Sequence, residues 1–480
     1  MDFEEFRTHA HGFCDWMADY LASVEDYPVR SQVEPGEILA KLPLNCPEHG
    51  ESMDAIFADF QEKILPGVTH WQHPRFFAFF NANSSPPSVL AEMLTATLAA
   101  QCMLWETSPA ATELEERMTA WLRDLLDLPA ELTGSIQDSA STSTLCGIIA
   151  ACEKATSGRA SREGLAGGPP LVVYTSAEAH SSVEKGARIA GLGARNVRKI
   201  PVRDDYGMDP AALADAIEED RAAGRVPTCI VASYGATGLG SIDPLTEIGR
   251  IAQSEDIHLH VDAAWAGSAL ILPEVRATLD GLEYVDSFVF NPHKWLFTNF
   301  DCSAFYMRDP SMLASALSLT PTYLESQTDE AIPEYRDWSV ALGRRFRALK
   351  LWFVLRWYGA EGLREKVRHH IAWTQHLAGL IRDTKDFELT TEPSLALLTF
   401  RYTPDWARAD AELDAVNEEL LRRINDGGRL YLSKTRAAGR IVIRFMIGQT
   451  YTTLRHVEEG WACIQETARE MRPSGADASG

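Results

Sequence analysis

Lys294 and Asp262 stand thirty-two positions apart, each at the end of a short stretch that reads as a buried strand. The run Ser287 to Phe290 is apolar and rich in β-branched or aromatic residues, and Asn291-Pro292 end it because proline cannot continue a ladder. Lys294 follows on the turn, flanked by His293 and Trp295. That setting suits a desolvated amine, whose pKa falls on burial, better than a solvated surface charge. Such an amine can form a Schiff base with a carbonyl, and pyridoxal phosphate is the commonest cofactor held in this way. A lysine whose stem packs while its head reaches water would look the same in isolation. Ile257 to Ala264 read I-H-L-H-V-D-A-A, with Asp262 at the carboxyl end of the strand, where open α/β sheets bind their ligands. A carboxylate there can keep a pyridine nitrogen protonated, although it could equally cap the next helix.

Two further stretches suit an anionic, aromatic ligand. Ile136 to Thr144 is dense in small hydroxyl residues just before an apolar helix expected over Leu145 to Ala151. Such a helix start offers N–H groups and a positive dipole end to a phosphate, or simply caps itself. His180, in Ala179-His180-Ser181-Ser182, opens another helix, whose positive end favours the neutral imidazole; neutral, it could stack on a pyridine ring or sit as a solvent-facing cap. Trp71 to Phe80, W-Q-H-P-R-F-F-A-F-F, is either core or a flat apolar wall for an aromatic ligand.

With N-P-H-K-W, H-V-D-A-A, A-H-S-S and H-P-R-F-F-A-F-F on the page, the chain resembles the group II pyridoxal-phosphate decarboxylases, most closely those acting on aromatic L-amino acids. The resemblance covers nearly the whole chain. It implies the aspartate-aminotransferase-like α/β fold type I, with pyridoxal 5'-phosphate bound covalently to Lys294 and Asp262 against the ring nitrogen. Ala140 and Ser141 would hold the phosphate with help from Asn291 and His293. His180 would cover one ring face, Ala264 would support the other, and Thr237 would lie near the phenolic oxygen. Leu342 and Gly343 match positions that approach the second subunit's cofactor in a homodimer. The substrate would meet Trp71, Phe79, Phe80, Ala82, Met103, His180, Leu342 and Tyr323. Tyr323, on a lid loop from Pro321 to Trp338, is the implied proton donor to the α-carbon; aldehyde-forming relatives typically carry phenylalanine there. Asn81-Ala82 replace a frequent Pro-Thr, Met103 stands where an aromatic is frequent, and the lid is about two residues shorter than the usual animal form. The implied activity is conversion of an aromatic L-amino acid to its arylethylamine and carbon dioxide. The alternatives are an aromatic aldehyde synthase and a decarboxylase of acidic or sulfinic amino acids, for which Arg75 is the nearby cation.

The elements that must position these residues fall into three expected parts. Residues 1–84 carry helices over Phe3 to Val24 and Ser52 to Leu65 but no strands, and need an outside apolar surface, which in the resembled family a dimer partner provides. Residues 85–359 alternate strand and helix, the pattern of a large, mostly parallel sheet covered on both faces. An amphipathic helix runs from about Leu342 to Gly359. Residues 360–480 read as a smaller α+β domain, with helices over Glu361 to Asp383, Asp410 to Asn425 and Thr453 to Met471 and strands near Phe387, Leu395 to Tyr402, Leu430 and Ile441 to Met446.

The 480 residues are 45% apolar, enough for a large core, and carry a formal charge of −23, which disfavours nucleic acid and anionic membrane as partners. No basic leader or twenty-residue apolar span is evident, so a cytoplasmic location is expected. Eight scattered cysteines read as packed thiols, and no histidine cluster has metal-ligand spacing, so no metal is expected. The chain lacks G-x-G-x-x-G after its first strand and lacks G-x-x-x-x-G-K-[ST], which argues against a plain nucleotide-binding protein.

Overall fold

The computed structural model describes residues 1–319 and 332–473. Contacts divide the chain into two compact units, residues 82–371 and a second formed by residues 1–81 with 372–480.

The first unit is an α/β layer structure around a seven-stranded sheet in the order β1-β7-β6-β5-β4-β2-β3. The strands are β1 (Thr133–Gln137), β2 (Leu171–Ser176), β3 (Val197–Ile200), β4 (Val226–Ser233), β5 (His258–Asp262), β6 (Ser287–Phe290) and β7 (Ser303–Met307). Only β7 runs against its neighbours; the β2–β3, β2–β4, β4–β5 and β5–β6 pairs are parallel. Strands β2 and β6 are buried along their whole length, as expected where helices cover both faces. The helix expected from Leu145 starts earlier and runs from Ala140 to Thr156, because Ser143 and Thr144 are buried on its sheet-facing side and belong to its first turns. The expected helix near Leu342 begins only at Arg347 and continues to Arg382, broken at Gly359 by a positive φ of 64°. The preceding segment is held outside the helix by buried Arg344, which pairs with buried Glu115 at 2.6 Å and donates to the Ile136 carbonyl at 3.0 Å.

The second unit holds a four-stranded antiparallel sheet, β10-β11-β9-β8, from β8 (Phe387–Leu389), β9 (Leu397–Tyr402), β10 (Ser433–Ala437) and β11 (Arg440–Met446). The strand expected near Leu430 therefore begins three residues later. Leu432 gives its N–H to the Asn425 side chain, and Tyr431 bridges to Phe76 instead of joining the sheet. Helices Asp410–Asp426 and Leu454–Glu470 pack on this sheet around Leu420, Phe445 and Trp461. The N-terminal helix Phe3–Ala22 has a capping box at Asp2 and Glu5 but buries none of its residues, and Phe3 is 88% exposed.

Candidate active site

Parallel strands place their carboxyl ends along one edge, and register fixes which residues meet there. Ser233, Asp262 and Val289 are direct neighbours across β4, β5 and β6. The ladder continues past the strands: Tyr234 donates to the Asp262 carbonyl, Ala263 to Val289 and Asn291 to Ala264, each at 2.9 Å. Around this edge lies a cavity lined by Ala140, Ser141, His180, Thr237, Asp262, Ala264, Asn291, His293 and Lys294. Ser139, Ser182, Ser233, Gly235, Ala236, Trp265 and Phe300 complete its walls.

Lys294 sits on a single helical turn, Pro292–Trp295, with proline at the first position, where its missing N–H costs nothing. The turn is tied down from outside by the Asn83 N–H to the His293 carbonyl at 3.0 Å and by the Asn83 amide on the Lys294 carbonyl. The lysine reaches the cavity, so it keeps some exposure, yet desolvation by the surrounding protein lowers its pKa, partly countered by the Asp262 charge. Asp262 Oδ1 accepts the Ala264 N–H at 3.1 Å, which fixes the carboxylate at the strand end.

Both cavity histidines have a defined tautomer. His293 Nδ1 accepts the Cys302 N–H at 2.8 Å, and burial, reinforced by Lys294, pushes the imidazole down to about 3; neutral, it carries its proton on Nε2. His180 Nδ1 accepts the Ser182 N–H at 3.2 Å and contacts Ser182 Oγ at 2.9 Å. Its pKa is lowered by desolvation and by Lys294 against an opposing pull from Asp262. His180 lies before the Ser182–Ile189 helix, not in its first turn.

The cavity fits pyridoxal phosphate. The Ala140–Thr156 helix leaves the Ala140 and Ser141 N–H groups without intrahelical partners, while capping Ser139 takes the Thr142 N–H at 3.3 Å. Asn291 adds a buried side-chain amide to the same wall, whose NH2 can be turned toward an anion. Donors for a phosphate, a carboxylate for a ring nitrogen and a desolvated amine for an aldehyde therefore open onto one space.

Of the other residues expected at the site, those that are described do not line this cavity. Trp71, Phe79 and Phe80 belong to the second unit, where Trp71 stacks on Phe76 at 4.5 Å and on Phe79 at 6.0 Å, and Arg444 lies over the Phe80 ring at 5.3 Å. Ala82 sits one residue before the anchoring Asn83. Met103 gives its carbonyl to Arg336, and Leu342 and Gly343 are exposed beside buried Arg344. Tyr323 lies outside the described residues.

Several supporting residues escape a reading of local pattern. Buried Asp243 accepts the Ser233 and Met208 N–H groups, each at 2.7 Å, and burial raises its carboxyl to about 6; it holds the end of β4 from ten residues away. Gly235 has a φ of +86°, and a Cβ there would come within 2.5 Å of Ala266, so the turn carrying Thr237 requires glycine. Phe300 rises from the cavity rim, 61% exposed, with its ring 4.6 Å from His293. The aspartate in S-I-D-P and the glycines of Y-G-A-T-G-L-G were the only local signals for the first two.

Fold and cavity together define a pyridoxal-phosphate enzyme of the aspartate-aminotransferase-like type. A family profile for the pyridoxal-dependent decarboxylase conserved domain matches residues 35–403. The chain is 42% identical to phenylacetaldehyde synthase of Arabidopsis thaliana, over 98% of this chain and 96% of that protein. It is 40% identical to aromatic-L-amino-acid decarboxylase of Rattus norvegicus, over 98% and 99%. The crystal structure of Oryza sativa TDC with PLP and tryptamine superimposes with a TM-score of 0.95 at 35% identity, covering 98% of this chain and 99% of that one. The chain belongs to the pyridoxal-dependent decarboxylase family and is a carboxy-lyase that uses pyridoxal phosphate.

Proposed function

We propose that this enzyme decarboxylates an aromatic L-amino acid to the corresponding arylethylamine, as a homodimer. The observation that carries the reading is the joint presence of a desolvated Lys294 amine and the strand-end Asp262 carboxylate on one cavity. The cofactor, when bound, supplies an electron-accepting ring for the pair left as carbon dioxide departs. Lys294 would hold it through its amine. Asp262 would keep a proton on the ring nitrogen. Ala140, Ser141, Asn291 and the Nε2–H of His293 would hold the phosphate, and neutral His180 would cover the ring. Tyr323, named on sequence alone, delivers the proton to the α-carbon.

Three observations support an aromatic over an acidic substrate. Among the described residues that line the cavity, Lys294 is the one Lys or Arg. Arg75, the nearby basic residue in the aromatic segment, is held by Glu459 at 3.0 Å. Relatives at about 40% identity across the chain include enzymes named for aromatic substrates or aromatic aldehyde products. Dimerisation is supported by uncovered apolar surface: Leu90, Leu94 and Leu98 share one exposed helix face, Trp357 is 73% exposed and Phe300 stands open at the cavity rim. The aldehyde-forming reaction is the second reading, favoured by the phenylacetaldehyde synthase relative and opposed by the hydroxyl of Tyr323.

The test is to incubate purified protein and cofactor with each of the twenty amino acids and analyse products by mass, following oxygen and peroxide. Amine and carbon dioxide from aromatic substrates, without oxygen uptake, is the expected result. Aldehyde, ammonia and peroxide, or turnover only of acidic amino acids, would overturn the reading.

A further inference from the structure

Beneath the cavity, the Ala140–Thr156 helix meets the sheet through polar atoms. Thr144 Oγ1 lies 3.3 Å from His260 Nε2, and His260 Nδ1 lies 2.9 Å from Ser287 Oγ. The same Ser287 hydroxyl is 2.8 Å from His258 Nε2. All four side chains are buried. Burial pushes His260 down to about 3 and lowers His258, so both imidazoles are neutral near pH 7. One hydroxyl proton serves two flanking ring nitrogens, so one imidazole accepts from Ser287 and the other donates to it. In either arrangement both nitrogens of His260 are engaged.

The backbone is equally close. A Cβ on Gly147 would stand 3.0 Å from His260 Nδ1 and 3.2 Å from Ser287 Oγ, tighter than such contacts usually run. The helix therefore seats on the His260–Ser287 pair as near as glycine allows. One turn toward the cavity, Ser143 Oγ lies 3.4 Å from Ser303 Oγ, next to Cys302, whose N–H orients His293.

These contacts join the three elements that carry the candidate site. His260 is two residues before Asp262 on β5, Ser287 begins the strand that runs into Asn291 and Lys294, and Thr144 is four residues after Ala140. We propose that His260, clasped by Thr144 and Ser287 under Gly147, is a positioning residue that sets the phosphate-binding helix turn in register with Asp262 and Lys294. The inference rests on the reading of the cavity as the cofactor site. Phosphate and ring nitrogen are a fixed distance apart within one small molecule, so a helix displaced by a few tenths of an ångström cannot serve both ends at once.

A latch of this kind acts on the benefit of the phosphate, whereas plain core packing acts on folding. The full-length apoprotein is titrated with pyridoxal phosphate and with pyridoxal, which has the ring but no phosphate, and the readout is the dissociation constant of pyridoxal divided by that of pyridoxal phosphate. In Gly147→Ala and Thr144→Val that ratio is expected to fall by about tenfold or more, as misplacement of a binding group predicts. His260→Gln, whose amide reaches Thr144 as Nε2 does, should keep more of the ratio than His260→Phe. Urea unfolding of each apoprotein reports folding separately. A ratio within about twofold of wild type in Gly147→Ala and Thr144→Val, the scatter expected of an uncoupled site, overturns the latch whatever happens to stability. A wild-type protein with no preference for the phosphate ester would instead overturn the cofactor reading itself, and the latch with it.

Discussion

The cavity at the ends of β4, β5 and β6 and the aromatic cluster around Trp71 are built by opposite means. The cavity collects residues from six separate stretches of chain, most of them fixed by a strand end, a helix start or a buried hydrogen bond within one unit. The aromatic cluster draws on neighbours in sequence, Trp71, Phe76 and Phe79, joined by Tyr431 at 5.5 and 5.8 Å, and it leaves Trp71 and Phe79 more than a third exposed. Positions proposed to hold the cofactor are held by long-range register. Of the positions read as facing the substrate, Trp71, Phe79, Leu342 and Gly343 are exposed and can vary without disturbing that register, while Phe80 is buried.

The first way to break this comparison is at Asp262. Asp262→Asn should keep the cavity's shape and some cofactor yet lose kcat by several orders of magnitude, because an amide cannot hold a pyridine nitrogen protonated. Steady-state kinetics at saturating cofactor measures it, and turnover near wild type would remove Asp262 from the chemistry.

Tyr323→Phe probes the substrate side. Cofactor binding and carbon dioxide release should stay largely intact while product moves from amine toward aldehyde and peroxide, followed by an oxygen electrode and product mass. Amine formed at the wild-type rate without oxygen uptake would mean that the proton comes from another group.

Arg344 bears on how the exposed Leu342–Gly343 turn is held. Arg344→Met leaves buried Glu115 with the Ile136 N–H but without its cation, and loss of one member of a buried ion pair costs about 3–5 kcal/mol. Urea denaturation should show that loss; an unchanged midpoint would mean that Glu115 finds a proton or another partner.

A further consequence is on pH dependence. Burial pushes His260, His293 and His370 down to about 3, while the unfolded chain titrates near 6.5. Between those values the unfolded state holds protons that the fold refuses, so stability is lost as pH falls from about 6.5 toward 3. Each histidine adds a slope of about 1.4 kcal/mol per pH unit. Denaturant midpoints at pH 7.5, 6 and 5 should decrease in that order, and replacing His370 with glutamine should flatten the trend.

Legibility in the sequence followed the same division. The strand Ser287–Phe290 and its stop at Asn291-Pro292 could be read residue by residue, because an apolar run and a proline act locally. The start of the Ala140–Thr156 helix was hidden by Ser143 and Thr144, whose hydroxyls look like loop chemistry until the sheet that buries them is in view. Asp243, Gly235 and His260 gave no comparable signal. Their contacts, to Ser233, Ala266 and Thr144, depend on strands and helices brought together only by the fold.

The most direct test of the central claim is borohydride reduction of the purified protein with pyridoxal phosphate, followed by peptide mapping. The account predicts a yellow protein whose single reduced adduct lies on Lys294, with colour and adduct both absent in Lys294→Ala. A stable adduct on a different lysine, or an unchanged spectrum in the variant, would contradict it.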